Sequence, residues 1–376
     1  MKCKKFIKII FCMFFSVALC VFLSACYDAS EVEETAYVIA LGIDKKFPEK
    51  NVYTFQLAAP LGSSNGGEIK AFSSGEEDEE GGNKTVKNIV LEGENFYDAK
   101  NIFANFMSKK ISLSHLKLIV FSQSAAETAL EEHLNFFWNE RQISPKTKVA
   151  LSNESAEEYL KSVNPELEAS TAKYYELSNS PKMLVYAPVK TIKDIVCCGE
   201  QREKCGVLPL AKTGNGEGGC DFKSEMFGMG ILKNNKITAV CGGDEALAYN
   251  ILTGQTKNLV YSFSYNKNTA FAKVNFLEKP KYEMKKADGK YTISVFLKAE
   301  FDETEGEKLL EKKLETAKRA LKEKLEIFLY KTAKEYEADI LNFESVEKKR
   351  FKTYGEWENS DFEKNYKSCE FVVNLM

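Results

Sequence analysis

The chain has 376 residues, of which 44% are hydrophobic and 28% charged, enough to bury one large core or two to three smaller ones. It contains only two histidines, His115 and His133, which excludes a His-rich metal site. Four lysines and no acid lie in the first 25 residues, and the remaining 48 basic and 55 acidic residues leave the body of the chain at −7. That balance argues against a nucleic-acid-binding protein, which would carry a basic surplus.

The first 26 residues have the pattern of a secretory signal that ends in a lipidation site. Four lysines precede the 15-residue run Ile9–Leu23, which is apolar apart from a single serine. The run is shorter than the ~20 residues that a membrane-spanning helix needs, although an uncleaved helical anchor is the alternative. Ser24 and Ala25 before Cys26 have the form of a lipobox, in which the thiol is joined to diacylglycerol. The sequence therefore predicts a signal peptide at 1–25 and a lipoprotein held by acyl lipid on Cys26 at the extracytoplasmic face of a membrane.

Residues 26–163 are predicted to form an N-terminal α/β domain. Stretches rich in β-branched and aromatic residues predict strands at Thr35–Lys45, Asn51–Leu61, Thr85–Leu91, His115–Ser122 and Lys148–Leu151. Apolar residues at helical spacing predict a helix over Phe96–Lys110 and two more that follow capping boxes beginning at Ser124 and Ser155. The Gly-, Ser- and acid-rich stretch Gly62–Asn83 is expected to be a solvated loop.

Residues 164–222 are predicted to be a middle or linker region. Half of the chain's eight prolines fall in this region. A helix is expected over Glu168–Leu184 and a short one over Thr191–Cys197, and the glycine-rich stretch Gly214–Gly219 breaks the chain before the next domain. That break matches G-x-G-x-x-G, but no helical pattern follows it and Glu217 stands where a phosphate would sit. It is therefore interpreted as a flexible break and not as a dinucleotide site.

Residues 223–376 are predicted to form a C-terminal domain in which an antiparallel sheet packs on one long helix. Asn234-Asn235 and Asp288-Gly289 are typical two-residue hairpin turns. Strands are predicted at Phe227–Lys233, Lys236–Cys241, Asn258–Tyr265, Thr269–Leu277, Tyr282–Ala287, Lys290–Phe301 and Glu370–Leu375. A short helix is expected over Asp244–Leu252 and the long one from Glu305 to about Asp339. The whole chain is thus predicted to be an α+β (mixed α/β), multi-domain, elongated ectodomain.

Few residues have the spacing of a chemical site. Gly62–Gly66 matches G-x-S-x-G, but it opens the acidic loop and lacks the strand and helix of a nucleophile elbow. His115 and His133 are interpreted as structural, since one begins an apolar strand and the other lies in an amphipathic helix. We therefore expect no catalytic residues, no cofactor other than the lipid on Cys26, and no metal.

The body of the chain keeps six cysteines, Cys197, Cys198, Cys205, Cys220, Cys241 and Cys369. Outside the cytosol disulfides are their usual fate. Free thiols and a metal site are the alternatives, although no C-x-x-C pair occurs. The sequence does not choose among the three.

Three short blocks, in order, resemble the Ger(x)C family, the lipoprotein C subunits of spore germinant receptors. In the first, Cys26 is followed by Asp28, Glu31 and a strand that ends in Gly42-Ile43-Asp44, with Tyr27 where the family usually has tryptophan. In the second, Gly228 and Gly230 lie in a strand before a hairpin and an acidic helix start. In the third, Asp339 follows the long helix and Trp357 comes later.

The resemblance implies a non-enzymatic ectodomain that assembles with two membrane-embedded partners, the A and B subunits, at the spore inner membrane. It also implies that this C subunit is needed for germination in response to nutrients. A solute-binding lipoprotein of an uptake system is the alternative, although its usual parallel sheets do not fit the predicted hairpins. A lipid-tethered hydrolase is a third, weakened by the lack of a placed nucleophile, histidine and acid.

Overall fold

The structure is a computed structural model. It describes residues 13–15, 34–47, 50–58, 86–162, 185–197, 204–213, 224–287, 290–302, 311–360 and 362–376. The signal peptide apart from residues 13–15 lies outside these residues, and so do Cys26, Asp28 and Glu31. The same is true of the Gly62–Asn83 loop, the helix expected over Glu168–Leu184, the Gly214–Gly219 break and the Asp288-Gly289 turn. Within the described residues, no helix combines the length and apolar character that crossing a bilayer requires.

A nine-stranded mixed sheet organises the first part of the chain. Its strands are β1 (Thr35–Lys46), β2 (Lys50–Ala58), β3 (Val86–Gly93), β4 (Lys110–Ser112), β5 (Leu118–Ser122), β6 (Lys148–Ser152), β7 (Cys205–Thr213), β8 (Ser224–Lys233) and β9 (Lys236–Cys241). They lie in the order β3-β2-β1-β5-β6-β7-β8-β9, with β4 paired to β1. The central strands β1, β5, β6 and β7 run parallel, and the outer neighbours are antiparallel. All of β5 is buried, as expected for a parallel strand covered on both faces.

In the part of the chain that the structure describes, four helices pack on the faces of this sheet: α1 (Phe96–Phe106), α2 (Gln123–Asn139), α3 (Ala156–Lys161) and α4 (Ile192–Val196). Helices α1, α2 and α4 pack on one face around Phe55, Phe103 and Phe137. Helix α3 packs on the other face through Tyr159 and Leu160. The sheet is therefore the middle layer of three, as in α/β proteins.

The C-terminal part consists of helices and two three-stranded sheets, β10-β11-β14 and β12-β13-β15. Its strands are β10 (Asn258–Tyr265), β11 (Asn268–Phe276), β12 (Lys281–Ala287), β13 (Lys290–Leu297), β14 (Ala299–Asp302) and β15 (Glu370–Leu375). Its helices are α5 (Gly243–Leu252), α6 (Glu311–Lys334), α7 (Glu344–Lys348), α8 (Tyr354–Glu358) and α9 (Phe362–Tyr366). One core joins the buried stripe of α6, which includes Leu321 and Leu325, to Ile293 and Val373 of the second sheet.

The mixed α/β class and the C-terminal antiparallel sheets with their helix are confirmed. The closing strand β15 differs from a purely antiparallel arrangement, because it lies parallel to β13. The predicted Asn234-Asn235 turn is confirmed, and both residues have positive φ, at 51° and 59°. Strand β13 buries Tyr291, Ile293, Val295 and Leu297, as their alternation predicts.

Several predicted boundaries were wrong, each for a local reason. The strand expected from His115 begins at Leu118, and the helix after it is capped by Ser122, whose Oγ accepts the amide of Ala125, and not by Ser124. Because β5 ends at Ser122, the helix begins immediately. The strand expected over Lys290–Phe301 is interrupted at Lys298, and its last part, β14, pairs with β11 in the other sheet.

The long helix ends at Lys334, earlier than the predicted Asp339. Glu337 adopts a positive φ of 50°, and the amides of both Glu335 and Tyr336 bond to the carbonyl of Lys331. This left-handed residue turns the chain away from the helix axis. No glycine marks the position, so the sequence did not reveal it.

Strand β7 lies in the region that the sequence predicted to be a linker. Its pairing with β8 shifts register between Pro209 and Ala211, and an irregularity of this kind tolerates proline inside a sheet. The proline and the flanking breaks concealed a strand whose first seven residues are buried. The boundaries at 163/164 and 222/223 stay predictions.

Candidate functional site

The Gly42-Ile43-Asp44 motif joins strand β1 to helix α3. The Asp44 carboxylate accepts the amides of Ala156 at 2.8 Å and Glu157 at 3.0 Å, and the hydroxyl of Ser155 at 3.3 Å. It therefore adds a second cap to the helix N-terminus that Ser155 begins, where negative charge is favourable.

The two residues before Asp44, Gly42 and Ile43, also help to pack strand β1 between the helix layers. A Cβ on Gly42 would lie 3.0 Å from Cδ1 of Leu160, so the glycine lets helix α3 approach the sheet closely. Ile43 is fully buried in the core on the opposite face. The motif is thus a packing element that fixes helix α3 on the sheet.

Gly228 and Gly230 hold strand β8 in place. Gly228 has φ +100°, and an added Cβ would overlap the carbonyl oxygen of Cys241. A Cβ on Gly230 would lie 2.6 Å from Cδ2 of Leu151 on strand β6. Gly228 therefore lets β8 approach β9 closely, and Gly230 leaves room for the side chain of Leu151.

The helix that follows this hairpin is tied to the long helix. At the start of α5, Asp244 and Glu245 pair with Lys324 at 2.5 Å and Lys331 at 2.9 Å. The hydrogen bond and charge of Glu245 raise the pKa of Lys331. The second sequence block is therefore a joint between the large sheet and the C-terminal part.

Asp339 organises the turn after α6. Its two carboxylate oxygens accept the amides of Phe343 at 2.9 Å and Glu344 at 2.8 Å, which caps helix α7. Burial of the carboxyl raises its pKa to about 6, against the opposing effect of those amides. Trp357 is buried on α8, with the ammonium of Lys348 4.6 Å from its ring centre.

A cleft of about 300 Å³ lies where this turn meets strands β7 and β8. It is lined by Cys205, Lys233, Glu337, Asp339, Glu344, Phe362, Glu363, Lys364, Tyr366 and Lys367. Lys233 Nζ donates to the carbonyl of Glu337 at 2.9 Å, and Lys367 pairs with the Glu337 carboxylate at 2.6 Å. The sequence did not indicate this cleft, because its residues come from three stretches far apart in the chain.

The two histidines have different environments. His133 is buried, and burial lowers its pKa. Its Nε2 forms a hydrogen bond with Tyr53 Oη at 2.9 Å, and its Nδ1 forms one with the carbonyl of Ala129 at 2.8 Å. This is the structural role expected of it. His115, in contrast, is exposed in the turn before β5 and meets the edge of the Tyr37 ring.

Two of the described thiols are poor nucleophiles because they are buried. Burial raises the pKa of Cys369 to about 12 and also raises that of Cys241. Cys197 is an exposed free thiol, and Cys205 is buried. Cys198 and Cys220 lie outside the described residues, and among the residues that are described no three potential ligands gather around a metal position.

The motif residues thus lie at three joints and do not converge on one pocket. The fold is that of a mixed α/β protein, and the residues of the three sequence blocks connect its sheets and helices. Two family profiles match the chain. "Spore germination protein N-terminal domain" matches residues 28–213, and "Spore germination B3/ GerAC like, C-terminal" matches 227–375. The chain belongs to the GerAC-like family of spore germination proteins.

A solved structure supports the same fold. It is described as "Crystal Structure of the GerBC protein", with a TM-score of 0.54 and 15% sequence identity, and the match covers 89% of this chain and 95% of that one. Among curated proteins no match was found. The family resemblance predicted from the three blocks is confirmed, and the chain is a protein of the germinant receptor C-subunit type. Membership implies association with other receptor subunits and a spore membrane location.

Proposed function

We propose that this chain is the lipid-anchored, non-catalytic C subunit of a spore germinant receptor, needed for the germination response to nutrients. Its partners in this proposal are the membrane-embedded A and B subunits at the spore inner membrane. The observation that carries it is the match of the two family domains, in order, over residues 28–213 and 227–375.

The geometry of the motif residues supports a non-catalytic role. Asp44, Gly228 and Asp339 each form a joint between elements, through bonds to backbone amides or close backbone contact. A subunit in which such residues fix the positions of its helices and strands relative to one another is suited to transmit or hold a conformation. A conformational role of this kind needs a fixed scaffold more than a reactive side chain.

The lipid anchor rests on the sequence around Cys26. Two acyl chains bind a bilayer far more firmly than one, since each buried CH₂ contributes about 0.8 kcal/mol. Replacing Cys26 by Ala is expected to remove the protein from the mature lipoprotein pool of the spore membrane. The exposed thiol Cys197 provides a matched control, because Cys197→Ala changes a cysteine without touching the lipobox.

The test is deletion of the gene, followed by exposure of the spores to a panel of nutrients. Loss of the response to at least one nutrient, restored by the intact gene and not by Cys26→Ala, is expected. Normal germination with every nutrient, in a strain without a second receptor of the same specificity, would show the proposal to be wrong. Loss of uptake of a solute in growing cells, with germination intact, would instead support the solute-binding alternative.

A further inference from the structure

A basic surface lies around the β12–β13 hairpin in the C-terminal part of the molecule. Seven exposed cations form it, on the hairpin of strands β12 and β13, at the end of helix α7 and on the segment that follows it: Lys285, Lys286, Lys290, Lys348, Lys349, Arg350 and Lys352. These seven side chains together make up the basic surface. It stands out because the body of the chain, without the N-terminal lysines, has a net charge of −7.

The fold brings the two segments of the basic surface together. Arg350 donates to the carbonyl of Met284 on β12 at 2.8 Å and to the carboxylate of Glu347 at 3.1 Å. The same carboxylate accepts the hydroxyl of Tyr291 at 2.8 Å. Lys286 lies 4.9 Å from the centre of the Tyr291 ring. The helical segment therefore lies against the β12 side of the hairpin. Lys286 shares the face of Tyr291, whereas Lys285 and Lys290 alternate with it and project from the other face, so the cations are grouped around the tip and edge of the hairpin.

Among the described residues, some acidic groups near the basic surface are engaged and others are exposed. Glu347 is buried beneath Arg350 and Tyr291, and Glu356 accepts the backbone amides of Lys352 and Thr353. Glu283 on β12 and Glu370 on β15 are exposed, on the sheet face from which Lys285 projects. Among the described residues, none of the six lysines of the basic surface forms an ion pair, whereas Lys281, nearby on β12, pairs with Glu278. The positive charge is thus left to face outward.

We propose that the basic surface rests on the anionic headgroups of the membrane to which the protein is tethered, which orients the ectodomain. The inference rests on the proposed lipid anchor, which keeps the protein at the bilayer. An anionic membrane repels the acidic body as a whole and attracts this group of unpaired lysines, within a Debye length of about 8 Å at physiological salt. The ring of Tyr354, 64% exposed beside the basic surface, has the amphipathic character that suits the headgroup layer.

The test uses the full-length lipidated protein in vesicles and measures, by mass spectrometry, how fast an amine-reactive reagent labels each lysine. One set of vesicles is phosphatidylcholine alone, and the other contains phosphatidylglycerol as well. In the anionic vesicles, labelling of the six lysines is expected to fall several-fold and to recover at high salt. Lys87 and Lys236, exposed on strands β3 and β9, are expected to be labelled equally in both.

Charge-reversal variants separate orientation from anchoring. The variant Lys285→Glu, Lys349→Glu, Lys352→Glu changes exposed side chains, and its expected effect is that Lys286, Lys290 and Lys348 lose their protection while the protein stays in the vesicle fraction. The matched variant Lys87→Glu, Lys236→Glu, Lys312→Glu makes the same change of charge and is expected to keep the protection. Thermal unfolding checks that both variants are folded.

Two results would overturn the inference. One is equal labelling of the basic surface in neutral and anionic vesicles. The other is protection that anionic lipid fails to give but that added A and B subunits do, which would assign the surface to an acidic protein partner. Failure of the anchor itself is a separate result, because the unmodified protein would then be absent from the neutral phosphatidylcholine vesicles, which offer the basic surface no anionic headgroup.

Discussion

The carboxylate of Glu326 on helix α6 accepts the backbone amide of Val373 on the closing strand β15, at 3.0 Å. One turn along the same helix, the hydroxyl of Tyr330 accepts the amide of Phe371 at 3.3 Å. These alternate amides point away from β13, with which β15 pairs. An open strand edge would offer its unpaired amides to another chain, and here two helix side chains occupy them.

Replacing Glu326 by Ala is expected to destabilise the C-terminal part by about 1 kcal/mol, because the Val373 amide loses its charged acceptor. Glu326→Gln keeps an acceptor oxygen and is expected to lose less. Urea unfolding of the purified full chain measures both. Equal stability of the alanine variant and the unmodified protein would show that water satisfies the amide as well as the carboxylate does.

Replacing Asp44 by Ala removes the second cap of helix α3 and is expected to cost about 1–2 kcal/mol in the free energy of unfolding. Asn at this position retains an oxygen that can accept an amide, so Asp44→Asn is expected to lie between the two. The measurement is again urea unfolding, with amide hydrogen exchange of Ala156 and Glu157 as a local readout. If exchange at these two amides does not quicken in the alanine variant, Asp44 does not hold the helix end.

Replacing Gly228 by Ala is expected to destabilise the protein by more than about 1–2 kcal/mol, since the left-handed conformation disfavours a Cβ and the Cys241 carbonyl occupies its space. Gly355 on helix α8 is the matched control, because a Cβ there meets nothing within 4 Å. Gly355→Ala is expected to leave stability unchanged or to raise it by up to about 1 kcal/mol. Similar unfolding midpoints for the two alanine variants would contradict the joint assigned to Gly228.

Asp339 is expected to make stability depend on pH between about 4 and 6. Its pKa is about 6 in the folded protein, against an ordinary aspartate value of 3.8, so the folded state holds the proton more firmly than the unfolded chain does. The unfolded chain releases that proton first as pH rises, so the stabilising effect of the neutral carboxyl is full below about pH 4 and is lost by about pH 6.

The check compares the unmodified protein with Asp339→Asn, which does not titrate. The difference in their free energies of unfolding is expected to shift against the unmodified protein from pH 4 to pH 6 and to stay constant above that. Because Glu344, Tyr366 and the other nearby groups are present in both proteins, the difference isolates Asp339. A difference that stays flat over the whole range would mean that the carboxyl titrates normally.

The sequence alone determined the features that depend on neighbouring residues. The Asn234-Asn235 turn needs two residues that tolerate positive φ, and the alternation from Tyr291 to Leu297 follows from the two-residue period of a strand. The order of the three motif blocks was sufficient to indicate the family. The lipidation of Cys26 is a prediction of the same local kind.

Tertiary structure alone decided what those residues do. Asp44 and Ala156 are 112 residues apart, and only the packing of α3 on the sheet makes one the cap of the other. Strand β7 was concealed because a proline at a register shift resembles a break in the chain until its neighbours β6 and β8 are known. The basic surface likewise exists only where Arg350 reaches the carbonyl of Met284, since charge from two distant segments adds up only after folding has placed them side by side.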